Sequence, residues 1–345
     1  MIYKDMEFHN AAHVEETPLG SLAYRFPKDV SDSMGEGTHT YGRYVSRTTT
    51  GCELRFVLED GDRALLFLSA LDEEGYVQVY RGDFRYYTGY TYSYPVSKGK
   101  VTAIPLIKSP GFEALESNYK KGSFSPEVWR IMFDINCTLA FNGLETYGGR
   151  ARPPRTEEVP CKTLLAYGTS LTYGACATAQ SLSYIQLLGR FLKCNILNKA
   201  MGGSCMNEMG VADYFAREAG SFDAVLLENA VNMGSMPQVY EKNMTYLMDR
   251  LVPAMAGKPI YLITAYPNSS NIGGDKSYPC VKKSGEEGFP QDELMRELAR
   301  RYPGVAVIEG DSLLEDFTGL TCDLIHLSDY GHIEVARKLS ERLCF

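Results

Sequence analysis

Leu164-Leu165-Ala166-Tyr167-Gly168-Thr169-Ser170-Leu171-Thr172-Tyr173-Gly174 is an apolar run that stops on a glycine and turns polar within two residues. Such a run reads as a buried strand. Gly168 then permits a backbone turn that a Cβ would hinder, which leaves Ser170 in a Gly-flanked loop at the strand's end. The stretch lacks the G-x-S-x-G elbow, because Thr172 fills the last position. The pattern recurs downstream. Further strand candidates are 195–197, 224–227, 260–264 and 305–308, and helix candidates are 182–192, 208–218, 239–255, 291–301 and 330–343. Strands alternating with helices imply parallel strands joined by crossovers, hence a layered α/β sheet. In such sheets reactive groups gather at the carboxyl ends of the strands.

Upstream the pattern differs. Residues 52–58 and 76–81 alternate, 63–71 is largely apolar, and Asp72-Glu73-Glu74-Gly75 between them reads as a hairpin turn. Further strand-like runs cover 84–94, 101–106, 128–136 and 138–141, and Asn142-Gly143 reads as a tight turn. Many short strands separated by turn residues predict an all-β sandwich of the jelly-roll kind over 1–150. Gly148 to Arg155 reads as a linker, and 160–345 forms the α/β domain. The length of 345 residues suits two such domains.

The chemistry starts from the scarcest base. Of five histidines only His326 and His332 fall in the α/β part. Imidazole titrates near neutrality and is the usual base for a serine nucleophile. His326 lies in Asp323-Leu324-Ile325-His326, between the last strand and the last helix, where an Asp three residues earlier reaches Nδ1–H and fixes the tautomer. The tetrahedral intermediate also needs donors for its oxyanion; losing one typically costs about 2.7–4 kcal/mol of barrier. Two strand-end loops are placed for this: Asn198 to Ser204, with Gly202-Gly203, and Glu228 to Gly234, with the Asn232 amide.

These four segments, in this order, resemble the signature blocks of the SGNH/GDSL hydrolases: Gly168-Thr169-Ser170-Leu171, Asn198 to Gly203, Ala230-Val231-Asn232 and Asp323-Leu324-Ile325-His326. The resemblance implies a three-layer flavodoxin-like α/β domain. It implies Ser170 as nucleophile, His326 as base and Asp323 as its orienter, with Ser170 N–H, Gly203 and Asn232 as oxyanion donors. Of the two glycines, alignment with Asn198 favours Gly203. The sequence departs from the family pattern at Thr169, where little effect is expected, and at Ala230 and Met233 around Asn232. The layout of a β-rich part before this domain also resembles two-domain carbohydrate esterases, which makes an O-acetylated sugar the expected substrate.

Each feature has a plainer reading. Ser170 alone is more often a helix cap, Gly202-Gly203 a turn, and Asn232 a loop hydrogen-bonder; it is their ordered combination that points to chemistry. His332 belongs in the first turn of the last helix, with Ser328 or Asp329 near its cap. Tyr86, Tyr87, Tyr90, Tyr92 and Tyr94 read as strand packing before they read as a sugar platform, and Trp129 reads as core. The long loop 266–288 is a candidate border of the site.

Other classes fit less well. A formal net charge of -8 argues against a nucleic-acid partner, and no apolar run is long enough for a membrane span. Neither a P-loop lysine nor a G-x-G-x-x-G follows the first strand. No His, Asp or Glu cluster has metal-ligand spacing and no C-x-x-C occurs, so neither metal nor cofactor is expected. Nine scattered cysteines and an N-terminus without an apolar leader predict free thiols and a cytoplasmic location. The expected partner is a small-molecule or carbohydrate ester. The competing reading is a non-catalytic carbohydrate-binding or scaffold protein on the same fold.

Overall fold

The computed structural model describes residues 1–35, 41–86, 93–108, 111, 122–274 and 290–345. Five parallel strands form the C-terminal sheet: Lys162–Gly168, Cys194–Asn198, Ala224–Glu228, Ile260–Ile263 and Val305–Ile308. In chain order they lie 2-1-3-4-5, the flavodoxin-like arrangement. Its switch point lies between the first and third strands, where connections leave in opposite directions and ligands characteristically bind.

Both faces of this sheet are covered, and the sequence shows why. Side chains alternate across a strand. Leu165, Tyr167, Val225, Leu227, Ile260 and Leu262 enter one hydrophobic cluster, with Val211, Phe215 and Leu247 from the helices 209–217 and 237–255. Their neighbours Leu164, Ala166, Ala224, Leu226 and Ile263 enter another, with Ile185, Leu188, Val335 and Leu339 from the helices 184–192 and 329–340. A strand buried on both faces carries no polar alternation, which is why these strands read as continuous apolar runs. Each Val, Leu, Ile or Phe among them is worth about 1.5–3 kcal/mol when fully buried.

The N-terminal part is a sandwich of two antiparallel sheets. One contains Met6–His9, Glu53–Glu59, Val128–Phe133 and Gly75–Arg81; the other contains Thr102–Ile107, Arg63–Ala70, Leu139–Glu145, Gly20–Tyr24 and His13–Thr17. Phe56, Leu58, Leu66, Leu68, Trp129, Ile131 and Phe141 fill the space between them. Trp129 is fully buried, and Tyr86 and Tyr94 pack against this core. Tyr87, Tyr90 and Tyr92 lie outside the described residues, as do 275–288 of the long loop and Cys280. The eight described cysteines are free.

Three local expectations give way. Residues 72–75 do not close a hairpin: Arg63–Ala70 and Gly75–Arg81 lie in different sheets, so the turn carries the chain across the sandwich. Asn142-Gly143 is no turn, since both lie inside Leu139–Glu145, where the register shifts between Phe141 and Gly143; an extra residue there is a bulge that bends the strand. Within the expected linker, Arg150–Arg152 forms a strand against Glu53–Glu59. The strands before residue 25 carried no recognised signal.

The two parts are joined by buried polar contacts along the outer strand Cys194–Asn198. An edge strand leaves backbone groups unpaired on one side. Here the His9 ring lies 2.7 Å from the Ile196 carbonyl, and Asn10 Nδ2 donates to the Asn198 carbonyl at 2.9 Å. Phe26, Val30, Met34 and Val45 also enter the cluster around Val211 and Phe215. No helix among the described residues is long and apolar enough to cross a membrane.

Candidate active site

The first strand ends at Gly168, and a Cβ there would lie 2.3 Å from Thr172 Oγ1 and 2.6 Å from the Glu228 carbonyl. Glycine is therefore required by space. Thr169 caps the short helix Ser170–Tyr173, with its side chain accepting from the Leu171 N–H, and Gly174 ends that helix in the left-handed region at φ +99°. Ser170 thus stands in the first position of a helical turn at the strand's carboxyl end.

Ser170 Oγ lies 2.8 Å from His326 Nε2, and His326 Nδ1 lies 2.7 Å from Asp323 Oδ2. This network assigns the proton to Nδ1 and leaves Nε2 to accept from the serine hydroxyl. The Asp323 carboxylate is itself held: its Oδ1 accepts from Thr321 Oγ1 at 2.7 Å, Ile325 N–H at 2.9 Å and His326 N–H at 3.0 Å. Partial burial opposes ionisation, but the bonds from His326, Thr321 and the two backbone N–H groups outweigh it and hold the carboxyl well below the usual range. Leu324 makes the tight turn between Asp323 and His326 with φ +57°. Its carbonyl accepts from Ser269 N–H at 2.7 Å. The described start of the long loop therefore borders the Asp323–His326 turn.

The glycine loop is fixed from below. Met201 N–H donates to the Gly168 carbonyl at 2.8 Å, and Asn198 Oδ1 accepts from Ala200 N–H at 3.1 Å. At Gly202 a Cβ would sit 3.1 Å from Tyr173 Cδ1, so the loop lies on the tyrosine ring. Gly203 needs no extra space, yet it adopts φ +68°, where a side chain is strained. Asn232, in the turn Val231–Met233, accepts from Cys205 N–H through Oδ1 at 3.1 Å. That bond joins the two loops and leaves the Asn232 amide as donor. His332 is placed otherwise: Nδ1 accepts from Tyr184 N–H at 3.1 Å and Nε2 faces the Ala175 carbonyl at 3.2 Å. Its helix is capped by the Ser328 side chain, and the ring serves structure.

Two residues not singled out from the sequence shape this site. Glu228, fully buried at the end of the third strand, accepts from Thr169 N–H at 3.0 Å, Thr169 Oγ1 at 2.8 Å and Thr172 Oγ1 at 3.0 Å. Burial pushes its carboxyl up to about 7 against those bonds. Thr169 therefore anchors the serine turn, a larger part than the sequence suggested. An acidic residue closing the apolar run 224–227 was the available signal.

Arg25 is the second. It is fully buried, and it donates to the carbonyls of Thr48 at 3.1 Å, Val45 at 2.6 Å, Asn198 at 3.3 Å and Ala200 at 2.7 Å. Its guanidinium sits 5.3 Å from the Tyr173 ring centroid, and Tyr173 OH bonds Thr48 and Thr50 at 2.8 and 2.6 Å. The β part thereby braces both the glycine loop and the ring beneath it. Nothing around Arg25 in the sequence marks this, because its partners lie up to 175 positions away.

Residues 161–343, more than half of the chain, match the GDSL-like lipase/acylhydrolase family. No curated protein sequence matches the chain. Among solved structures, a salicylyl-acyltransferase from a tetracycline biosynthetic pathway aligns with a TM-score of 0.77 at 11% identity, over 98% of this chain and 93% of that one. A Bacteroides ovatus protein described as a GDSL-like lipase aligns with a TM-score of 0.68 at 16% identity, over 97% and 94%. A family two carbohydrate esterase from Clostridium thermocellum, in complex with cellohexaose, aligns with a TM-score of 0.59 at 12% identity, over 98% and 97%. At such identities the likeness is one of fold, and it extends through the β part as well as the α/β part. The family match over the parallel sheet and its loops makes this chain a member of the GDSL-like lipase/acylhydrolase family.

Proposed function

We propose that this protein is a serine esterase that removes small acyl groups, acetyl first among them, from carbohydrate esters. The observation that carries the proposal is the continuous pair of hydrogen bonds from Ser170 Oγ through the His326 ring to Asp323, 2.8 and 2.7 Å long. Ser170 attacks the ester carbonyl while His326 Nε2 takes its proton. Asp323 stays ionised, holds the ring and stabilises the imidazolium. The oxyanion is received by the N–H groups of Ser170 and Gly203 and by the Asn232 amide. His326 then protonates the leaving alcohol, giving an acyl-enzyme, and in the second half accepts a proton from water as it attacks the acyl carbon. The carbohydrate alcohol is favoured by the two-part fold shared with the Clostridium thermocellum esterase, whose structure holds cellohexaose.

The test is release of acetate from acetylated sugars, and of p-nitrophenol from short p-nitrophenyl esters, by the wild type and Ser170→Ala in parallel. Turnover in the wild type that vanishes in the variant is expected. Equal rates in the two proteins, or no turnover of any ester by folded wild type, would overturn the proposal.

A further inference from the structure

Cys176 follows the serine turn and adopts φ +66°, a conformation uncommon for a residue with a side chain. Its backbone is held closely on either side. Ala175 N–H donates to the Ser170 carbonyl at 2.9 Å, and Thr178 bonds Asp329 through N–H at 2.9 Å and Oγ1 at 2.7 Å. This turn brings a thiol beside the Asp323–His326 pair. Cys176 Sγ, a carboxylate oxygen of Asp323 and a ring nitrogen of His326 all lie within 4.8 Å of one another.

A thiolate, a carboxylate and an imidazole are the three donor types that Zn²⁺ takes, at about 2.0–2.3 Å, with a fourth position left for water. Atoms this close come onto one ion, at bond lengths of about 2.0–2.3 Å, by small side-chain adjustments in which Asp323 Oδ2 exchanges its bond to His326 Nδ1 for the metal. The support around them is already built. Asp323 keeps Thr321 Oγ1 and the Ile325 N–H on its other oxygen, the kind of outer partner that orients a ligand.

We propose that Cys176, Asp323 and His326 form a binding site for a soft divalent cation, Zn²⁺ by its donor set, whose occupancy switches hydrolysis off. The inhibitory half rests on His326 serving Ser170 as base; the binding half does not. The cation enters beside Nδ1, the nitrogen that faces Asp323. The thiol proton leaves to solvent and the Cys176 sulfur bonds the metal. The ring stays neutral, so its single proton moves from Nδ1 to Nε2 as Nδ1 donates its lone pair to the ion. A protonated Nε2 cannot accept the proton of Ser170, and no redox change occurs.

The test uses whole protein kept reduced with a phosphine, and Co²⁺ as a spectroscopic probe. A thiolate-to-Co²⁺ charge-transfer band is expected in the wild type, in Ser170→Ala and in Cys322→Ala, and its absence is expected in Cys176→Ala. Ester hydrolysis is then titrated with Zn²⁺, each protein being compared with its own zinc-free rate. Half-inhibition of Cys176→Ala should need at least tenfold more Zn²⁺ than that of the wild type, and a chelator should restore the wild-type rate. A band that survives in Cys176→Ala, disappears only in Cys322→Ala, or forms in none of the proteins would overturn the site. Equal Zn²⁺ sensitivity in wild type and Cys176→Ala would overturn the switch. If Ser170→Ala retained hydrolysis, the esterase reading would fall while the Co²⁺ band still decided the metal site.

Discussion

Consider replacement of Arg25 by methionine, which keeps an unbranched apolar stem, ends short of the guanidinium and removes its five N–H donors. Two of its carbonyl partners keep another donor: Asn198 has Asn10 Nδ2 at 2.9 Å and Val45 has Thr48 Oγ1 at 2.8 Å. Those of Thr48 and Ala200 lose the guanidinium, at about 1–3 kcal/mol for each buried acceptor left unpaired. Against this stands the desolvation of a fully buried guanidinium, whose pKa burial pulls down, and which costs several kcal/mol in its own right. The two terms oppose each other, so a loss of only about 1–3 kcal/mol in unfolding free energy is expected. Activity should suffer more. Ala200 is three positions from Gly203, and a fully lost oxyanion donor costs about 2.7–4 kcal/mol. Half of that, from a displaced donor, corresponds to a fall in kcat of about 10–30-fold with KM little changed. Arg25→Lys keeps a charge without the planar fork and should fall between. Urea unfolding and steady-state p-nitrophenyl acetate hydrolysis on the three proteins read both quantities. If Arg25→Met folded normally and its kcat stayed within twofold of wild type, the bracing role assigned to Arg25 would be wrong.

Two further outcomes are expected. Asn232→Ala should lower kcat by about 10²–10³-fold, as loss of an oxyanion donor does, with its circular dichroism unchanged; a KM effect alone would place Asn232 in substrate binding instead. His332 supplies a pH signature. Burial pushes its imidazole down to about 4 despite the bond to the Ala175 carbonyl, so the folded state keeps the ring neutral where the unfolded chain, near 6.5, takes up a proton. The unfolded state binds more protons between those values, and stability is lost as pH falls from about 6.5 towards 4. Between pH 7 and pH 5 that loss is about 2 kcal/mol by linkage. His332→Asn should flatten this part of the profile in denaturant titrations, and an unchanged slope would show that the ring takes up its proton equally in the folded and unfolded chain.

What the sequence determined by itself rests on short-range physics. Doubly buried strands read as apolar runs, and the amphipathic helices between them read by their 3.6-residue period, so the alternation from Lys162 onward was legible. Asp323 and His326 were legible as a pair because three positions of separation let one turn join them. Ser170 and the loops of Gly203 and Asn232 could be nominated because each follows a recognisable strand, and strand ends in such sheets converge. The tertiary structure alone decided the rest. Whether Asp72 to Gly75 closes a hairpin or crosses between sheets depends on which strands lie beside Arg63–Ala70, and those are Thr102–Ile107 and Leu139–Glu145. The covering of the outer strand by His9 and Asn10, the reach of Arg25 to Ala200 and the approach of Cys176 to Asp323 all join residues far apart in the chain. A local pattern encodes which face a side chain turns, but not what it meets there; that is settled only when the two parts of the chain pack together and every buried polar group must find a partner.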